Sequence, residues 1–261
     1  MKRILHGAAM AVLAMMSLGV GSAFAHTPYI RPAVFNTDAD QVTAEAAYST
    51  SIFSPVVGMP APPLSIIDPS GRVFAFGQVD VRADVSRVVA ELPEQGTYRL
   101  TTGEQLGAVT PMVFDHGHWR ALLAGERAPR HARTSTLQMV VIADAYVTRG
   151  APTAISLAGP MSELAILPLT NPDAVTLGGG LDLQLLFNGQ PFAYMPFVVY
   201  RPGQSEDDMS RVFVTNEQGS AHLSFDQPGL YLAIVRYRAP APANSNARVL
   251  SYSTSITFEV R

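Results

Sequence analysis

His116 and His118 stand two residues apart in Asp115-His116-Gly117-His118-Trp119. In an extended strand residues i and i+2 share a face about 7 Å apart, so two imidazoles at this spacing could converge on one metal ion. A third imidazole, His26, directly follows Ala23-Phe24-Ala25. If the chain is cut after Ala25, the α-amine and imidazole of His26 form a bidentate chelate suited to copper, nickel or zinc. Pro28 offers no amide N–H for a metal to displace further along, which favours a side-on chelate completed from elsewhere. His26, His116 and His118 are therefore the candidate metal ligands, together a three-imidazole site. The second segment has a competing reading. Asp-His-Gly between Val113-Phe114 and Trp119 is also the pattern of a tight hairpin turn with Gly117 at positive φ, the histidines at a loop tip and Trp119 anchoring the returning strand.

The remaining reactive residues point to less. His131 lies in the basic loop Arg127-Ala128-Pro129-Arg130-His131-Ala132-Arg133 and reads as solvated, and His222 reads as a sheet histidine of the second half. Glu206-Asp207-Asp208 lacks the alternating acidic spacing and central glycine of a calcium loop, so it reads as a hydrated loop. Methionines are scattered and form no thioether stripe. No nucleophile elbow, His-Glu-x-x-His, phosphate loop or dinucleotide fingerprint is present, so the chain reads as a non-enzyme. The one catalytic option is an oxidative copper site at a histidine brace, built from His26 and a second histidine beneath a flat substrate face.

The start of the chain must deliver that terminus. Lys2-Arg3, an apolar run from Ala8 to Val20 and the small-x-small Ala23-Phe24-Ala25 have the form of a signal peptide over residues 1–25. The expected location is therefore the periplasm. No cysteine is present, which excludes disulfides, thiolate metal sites and an acylated lipoprotein terminus. Lys2 and Arg3 leave with the leader, so 16 of the 18 Lys and Arg remain against 21 carboxylates, a formal charge of −5. That balance argues against a nucleic-acid partner. No later apolar run reaches the ~20 residues that a spanning helix needs, and the longest is interrupted at Asp144.

The elements behind these residues read as β-strands. Twenty Gly and twenty Pro divide short segments rich in Val, Leu, Ile, Phe, Tyr and Thr, and 3.6-residue periodicity is nearly absent. Strands are expected at 41–49, 64–67, 73–76, 86–92, 97–102, 109–114 and 137–148. Asp68-Pro69-Ser70-Gly71 forms a turn between two of them. The pattern breaks at Gly150–Met161 and resumes at Glu163, with further strands at 181–187, 196–200, 211–215, 221–225, 231–238 and 251–260. The expected fold is all-β. An N-terminal β-sandwich spans 26–160 and a C-terminal immunoglobulin-like β-sandwich spans 161–261, after the cleaved signal peptide.

Glu163-Leu164-Ala165-Ile166-Leu167-Pro168-Leu169-Thr170-Asn171-Pro172, Leu186-Phe187-Asn188-Gly189-Gln190-Pro191, Thr215-Asn216-Glu217-Gln218-Gly219 and Pro228-Gly229-Leu230-Tyr231 occur in this order and spacing. Together with Gly96-Thr97-Tyr98-Arg99-Leu100-Thr101-Thr102-Gly103 and the Ala-His junction after the leader, they resemble the DUF4198 family of bacterial secreted proteins across the whole mature chain. Where that family commonly has tryptophan in the aromatic stretch after the histidine, this chain reads Thr27-Pro28-Tyr29-Ile30-Arg31-Pro32. Some members are described as periplasmic components of nickel or cobalt uptake. The resemblance thus implies a non-enzymatic metal-handling accessory protein, with nickel, cobalt or copper as the ion and a membrane transporter or envelope protein as partner. The alternative is an envelope interaction module that binds no metal.

Overall fold

The structure, a computed structural model, describes residues 26–61, 63–155 and 161–261. The expected leader lies outside the described residues. The described residues hold twenty-one strands, in chain order. The first thirteen are β1 (Thr27–Pro32), β2 (Asn36–Thr37), β3 (Gln41–Ser51), β4 (Ser54–Gly58), β5 (Ser65–Ile67), β6 (Val73–Phe74), β7 (Gln78–Val81), β8 (Ser86–Glu91), β9 (Gly96–Thr101), β10 (Gln105–Leu106), β11 (Thr110–Asp115), β12 (His118–Ala121) and β13 (Thr134–Arg149). The rest are β14 (Leu164–Pro168), β15 (Leu181–Phe187), β16 (Gln190–Pro191), β17 (Pro196–Tyr200), β18 (Val212–Val214), β19 (Ser220–Leu223), β20 (Gly229–Pro240) and β21 (Val249–Val260). A single 3-10 turn at Pro172–Ala174 is the one helical element named among the described residues, and none of their helices is long and apolar enough to cross a membrane.

These strands form three layers. A first sheet runs β1-β3-β8-β7, with β4 on β3. A long central sheet runs β18-β17-β20-β21-β13-β9-β5-β6, and β2, β10 and β11 also pair with β13. The third sheet runs β14-β15-β16, with β19 on β15. Period-two alternation sets which face each residue covers. On β13, Val141, Ala143, Ala145 and Val147 meet Ile30, Val42, Ala44, Ala46, Val88 and Ala90 of the first sheet. The intervening Val140 and Tyr146 join Leu181, Leu183 and Leu185 of the third sheet. Because both faces of β13 are covered, Val140–Thr148 is a continuous buried run, which an alternating strand would not show.

The all-β architecture and the β-sandwich layers agree with the sequence expectation. The expected cut at residue 160/161 falls between β13 and β14, but hydrogen bonding bridges it: β13 pairs β21 in parallel from Leu137↔Val249 to Ala145↔Thr257. β1 is an edge strand paired to β3, which accommodates its two prolines. Pro28 and Pro32 are four apart, so their missing donors lie on one lateral side, where an edge strand needs no partner.

Candidate functional site

β1 carries His26 into the protein. From Thr27 to Ile30 every residue is buried, and the Ser255 hydroxyl of β21 donates to the Pro28 carbonyl at 2.7 Å. Thr27 is the hub of a polar corner. Its Oγ1 accepts from Arg236 Nη2 at 2.7 Å and donates to Glu206 Oε2 at 3.5 Å, and its backbone N–H donates to the same carboxylate. The Glu206 side chain is only 9% exposed and lies 3.9 Å from the Arg236 guanidinium. Burial pushes the Glu206 carboxyl above the usual carboxylate range, against the pull of Arg236, and Asp207 adds to the rise. His26 itself is half-buried. Its Nδ1 is shielded from solvent and has no hydrogen-bond partner.

His116 and His118 sit elsewhere. Asp115 pairs His118 across the β11–β12 hairpin, so His116 and Gly117 are its two loop residues, with φ of 46° and 86°. Positive φ at both positions is the type I′ turn, whose twist matches that of the flanking strands. The His116 side chain is 89% exposed at the tip, and His118 Nδ1 lies 3.3 Å from the His116 carbonyl oxygen. Trp119 packs edge-on against Phe114, its cross-strand partner. The segment thus takes the turn form of its two sequence readings.

Topology separates this tip from His26. Thr27 contacts Arg236, which pairs Ser253 of β21, and Ser253 pairs Val141 of β13. The hairpin joins β13 at Thr134–Leu137 and runs on past its start. Seven residues of strand, about 20 Å or more, lie between these levels. Among the described residues no three His, Cys, Asp or Glu side chains gather to hold an ion, so the three-imidazole arrangement is not assembled. His131 belongs to the same lobe as the hairpin. His222, on the third sheet, lies with Nδ1 2.8 Å from Asp182 Oδ1.

Two arrangements were not foreseen from the sequence. One is Glu206, read as part of a hydrated loop; its burial depends on Thr27, 179 residues away. The other is a row of alternating charge across the outer face of the first sheet, Arg31↔Glu45↔Arg87↔Asp80, at the floor of an open groove of about 440 Å³. Glu45 accepts from Arg31 at 2.8 Å and from the Tyr29 hydroxyl at 3.0 Å, while Asp80 is held by Arg82 at 2.8 Å. The four residues come from four strands. No local motif marks them, and only the polar positions within β3 and β8 hint at a solvated face.

A family model described as a domain of unknown function (DUF4198) matches residues 23–239. No curated protein matches the chain. Among solved structures, the D0-D1 domain of Intimin is similar at 11% identity, covering 88% of this chain and 96% of that one, with a TM-score of 0.22. A marsupial T cell receptor is similar at 10% identity, covering 91% and 74%, with a TM-score of 0.19. At those scores neither likeness carries an argument.

Proposed function

We propose, from the premise that this chain belongs to the DUF4198 family, that it is an exported, non-enzymatic protein that takes up one divalent transition-metal ion at His26. The observation that carries this reading is the His26 Nδ1, shielded and without a hydrogen-bond partner at the start of a buried strand. A buried nitrogen with no partner is costly, and a metal would satisfy it. Once the leader is removed, the α-amine becomes the second ligand. Glu206, held to the neighbouring Thr27, is the candidate carboxylate for a third. The adjacent Arg236 opposes a cation there, so affinity depends on how fully it stays engaged with Thr27. His116 and His118 have no part in this site.

Calorimetric titration with nickel and copper tests it on protein that begins at His26. Copper should bind more tightly than nickel. His26→Ala, or one extra residue before His26, should each weaken binding at least about tenfold by removing one arm of the chelate. His118→Ala should change nothing, and affinity should fall as pH drops because both nitrogens must lose their protons to ligate. Binding untouched by either change at His26 would overturn the reading. The alternative, an envelope interaction module, is favoured by the edge strands β7, exposed at every residue, and β18, where Val212 and Val214 are 42% and 56% exposed. Such edges can accept an added strand from another protein.

A further inference from the structure

The lobe formed by residues 110–133 is cationic, although the whole chain carries a formal charge of −3. Its two carboxylates are both engaged by one residue. Arg120 reaches Asp115 at 3.1 Å and Glu126 at 2.6 and 2.9 Å. Arg127, Arg130 and Arg133 are exposed and form no ion pair among the described residues. Arg248, whose N–H donates to the Thr136 carbonyl at the start of β13, adds a fourth such cation to the same end of the molecule. Arg133 lies over the Phe114 ring at 3.8 Å and 5.9 Å from the Trp119 ring. Leu123, 74% exposed, projects from the turn that precedes Glu126, whose N–H donates to the Leu123 carbonyl.

Arginines without acidic partners, a half-exposed tryptophan and a projecting leucine on one lobe are the chemistry of a lipid headgroup region. There guanidinium groups meet phosphates, the indole sits at the apolar boundary and an aliphatic tip enters it. We propose that this lobe docks the protein on a membrane surface bearing anionic phospholipid. The negative remainder of the chain does not prevent this, because at physiological salt charges more than ~8 Å away are largely screened. An acidic protein partner would also satisfy the arginines but gives no role to the exposed Leu123. This inference does not depend on a metal at His26.

Trp119 is the only tryptophan, so its emission reports on the lobe alone. The full exported chain is mixed with phosphatidylcholine vesicles with and without phosphatidylglycerol, at low and high salt, and followed by co-sedimentation and fluorescence. Binding should require phosphatidylglycerol, weaken with salt and shift Trp119 emission to the blue. Arg127→Gln with Arg130→Gln breaks no side-chain hydrogen bond or ion pair among the described residues. At about 1 kcal/mol per arginine near an anionic surface, it should lower partitioning on the order of 30-fold. Leu123→Ser should reduce the blue shift. Equal binding to both vesicles, or no loss in the arginine variant, would overturn the proposal. Binding to soluble polyglutamate without binding to vesicles would overturn it in favour of an acidic protein.

Discussion

Glu206 shows how one residue's chemistry is set by a distant strand. In isolation Glu206-Asp207-Asp208 is an acidic run, yet Thr27 and Arg236 close over Glu206 and leave it nearly buried. Burial raises its folded-state pKa above the ordinary value. The sign of the linkage follows: the folded form binds this proton more tightly than the unfolded chain, so the contribution to stability is full below the ordinary carboxylate range and is lost as pH rises through the raised value. Glu206→Gln should therefore flatten the pH dependence of unfolding in that window, measured by urea titration at several pH values. An unchanged profile would show that Glu206 is not the titrating group. His26 was legible as a candidate ligand because its chemistry is local to the residue and its junction. Glu206 was not, because its state depends on a contact 179 residues away. His116 and His118 satisfied the i, i+2 rule, but that rule needs an extended strand, and Gly117 bends the chain between them.

Strands rich in buried apolar residues were readable, β13 among them although it does not alternate, while the proline-bearing β1 and the exposed β4 and β7 were not. β15 coincides with the expected 181–187: Leu181, Leu183 and Leu185 are fully buried, while Asp182 is exposed and Gln184 half-exposed. Leu183→Ala should cost about 2–5 kcal/mol, the usual range for truncating a core leucine. Gln184→Ala should cost about 1 kcal/mol or less, since it loses only a surface hydrogen bond to the Gln218 carbonyl. Denaturant midpoints with unchanged slopes would check both, and similar losses would mean that the face is misassigned. β1 is absent from the expected strands because its two prolines suggest a non-strand, a penalty that an edge position removes. β4 and β7 were missed for a different reason. Neither has a buried residue: β7 alternates as Gln78-Val79-Asp80-Val81 but over four residues only, β4 does not alternate, and pairing to β8 and β3 defines them.

At the scale of the molecule, the break at Gly150–Met161 is visible in the sequence as a change in strand rhythm, but the pairing across it is not. Nothing local in β13 or β21 announces that they will lie side by side in parallel, since parallel partners are joined by long crossovers and their register is set by the packed faces. A buried ion pair of the first half sits at this junction. Arg99 Nη2 lies 2.8 Å from Asp144 Oδ2, with both side chains under a tenth exposed. Residues of the second half, among them Ser162, Leu164 and Ile166, line the narrow space beside this pair. Truncating Asp144 would leave a buried guanidinium without its carboxylate, so Asp144→Ala should destabilise the protein by about 3–5 kcal/mol. Because Val140 and Tyr146 of β13 belong to the same apolar cluster as Leu183 and Phe258, that loss should be felt in both halves. A calorimetric scan should show one transition shifted down as a unit. Two separated transitions, only one of them moved by Asp144→Ala, would instead mean that the halves unfold independently despite the shared sheet.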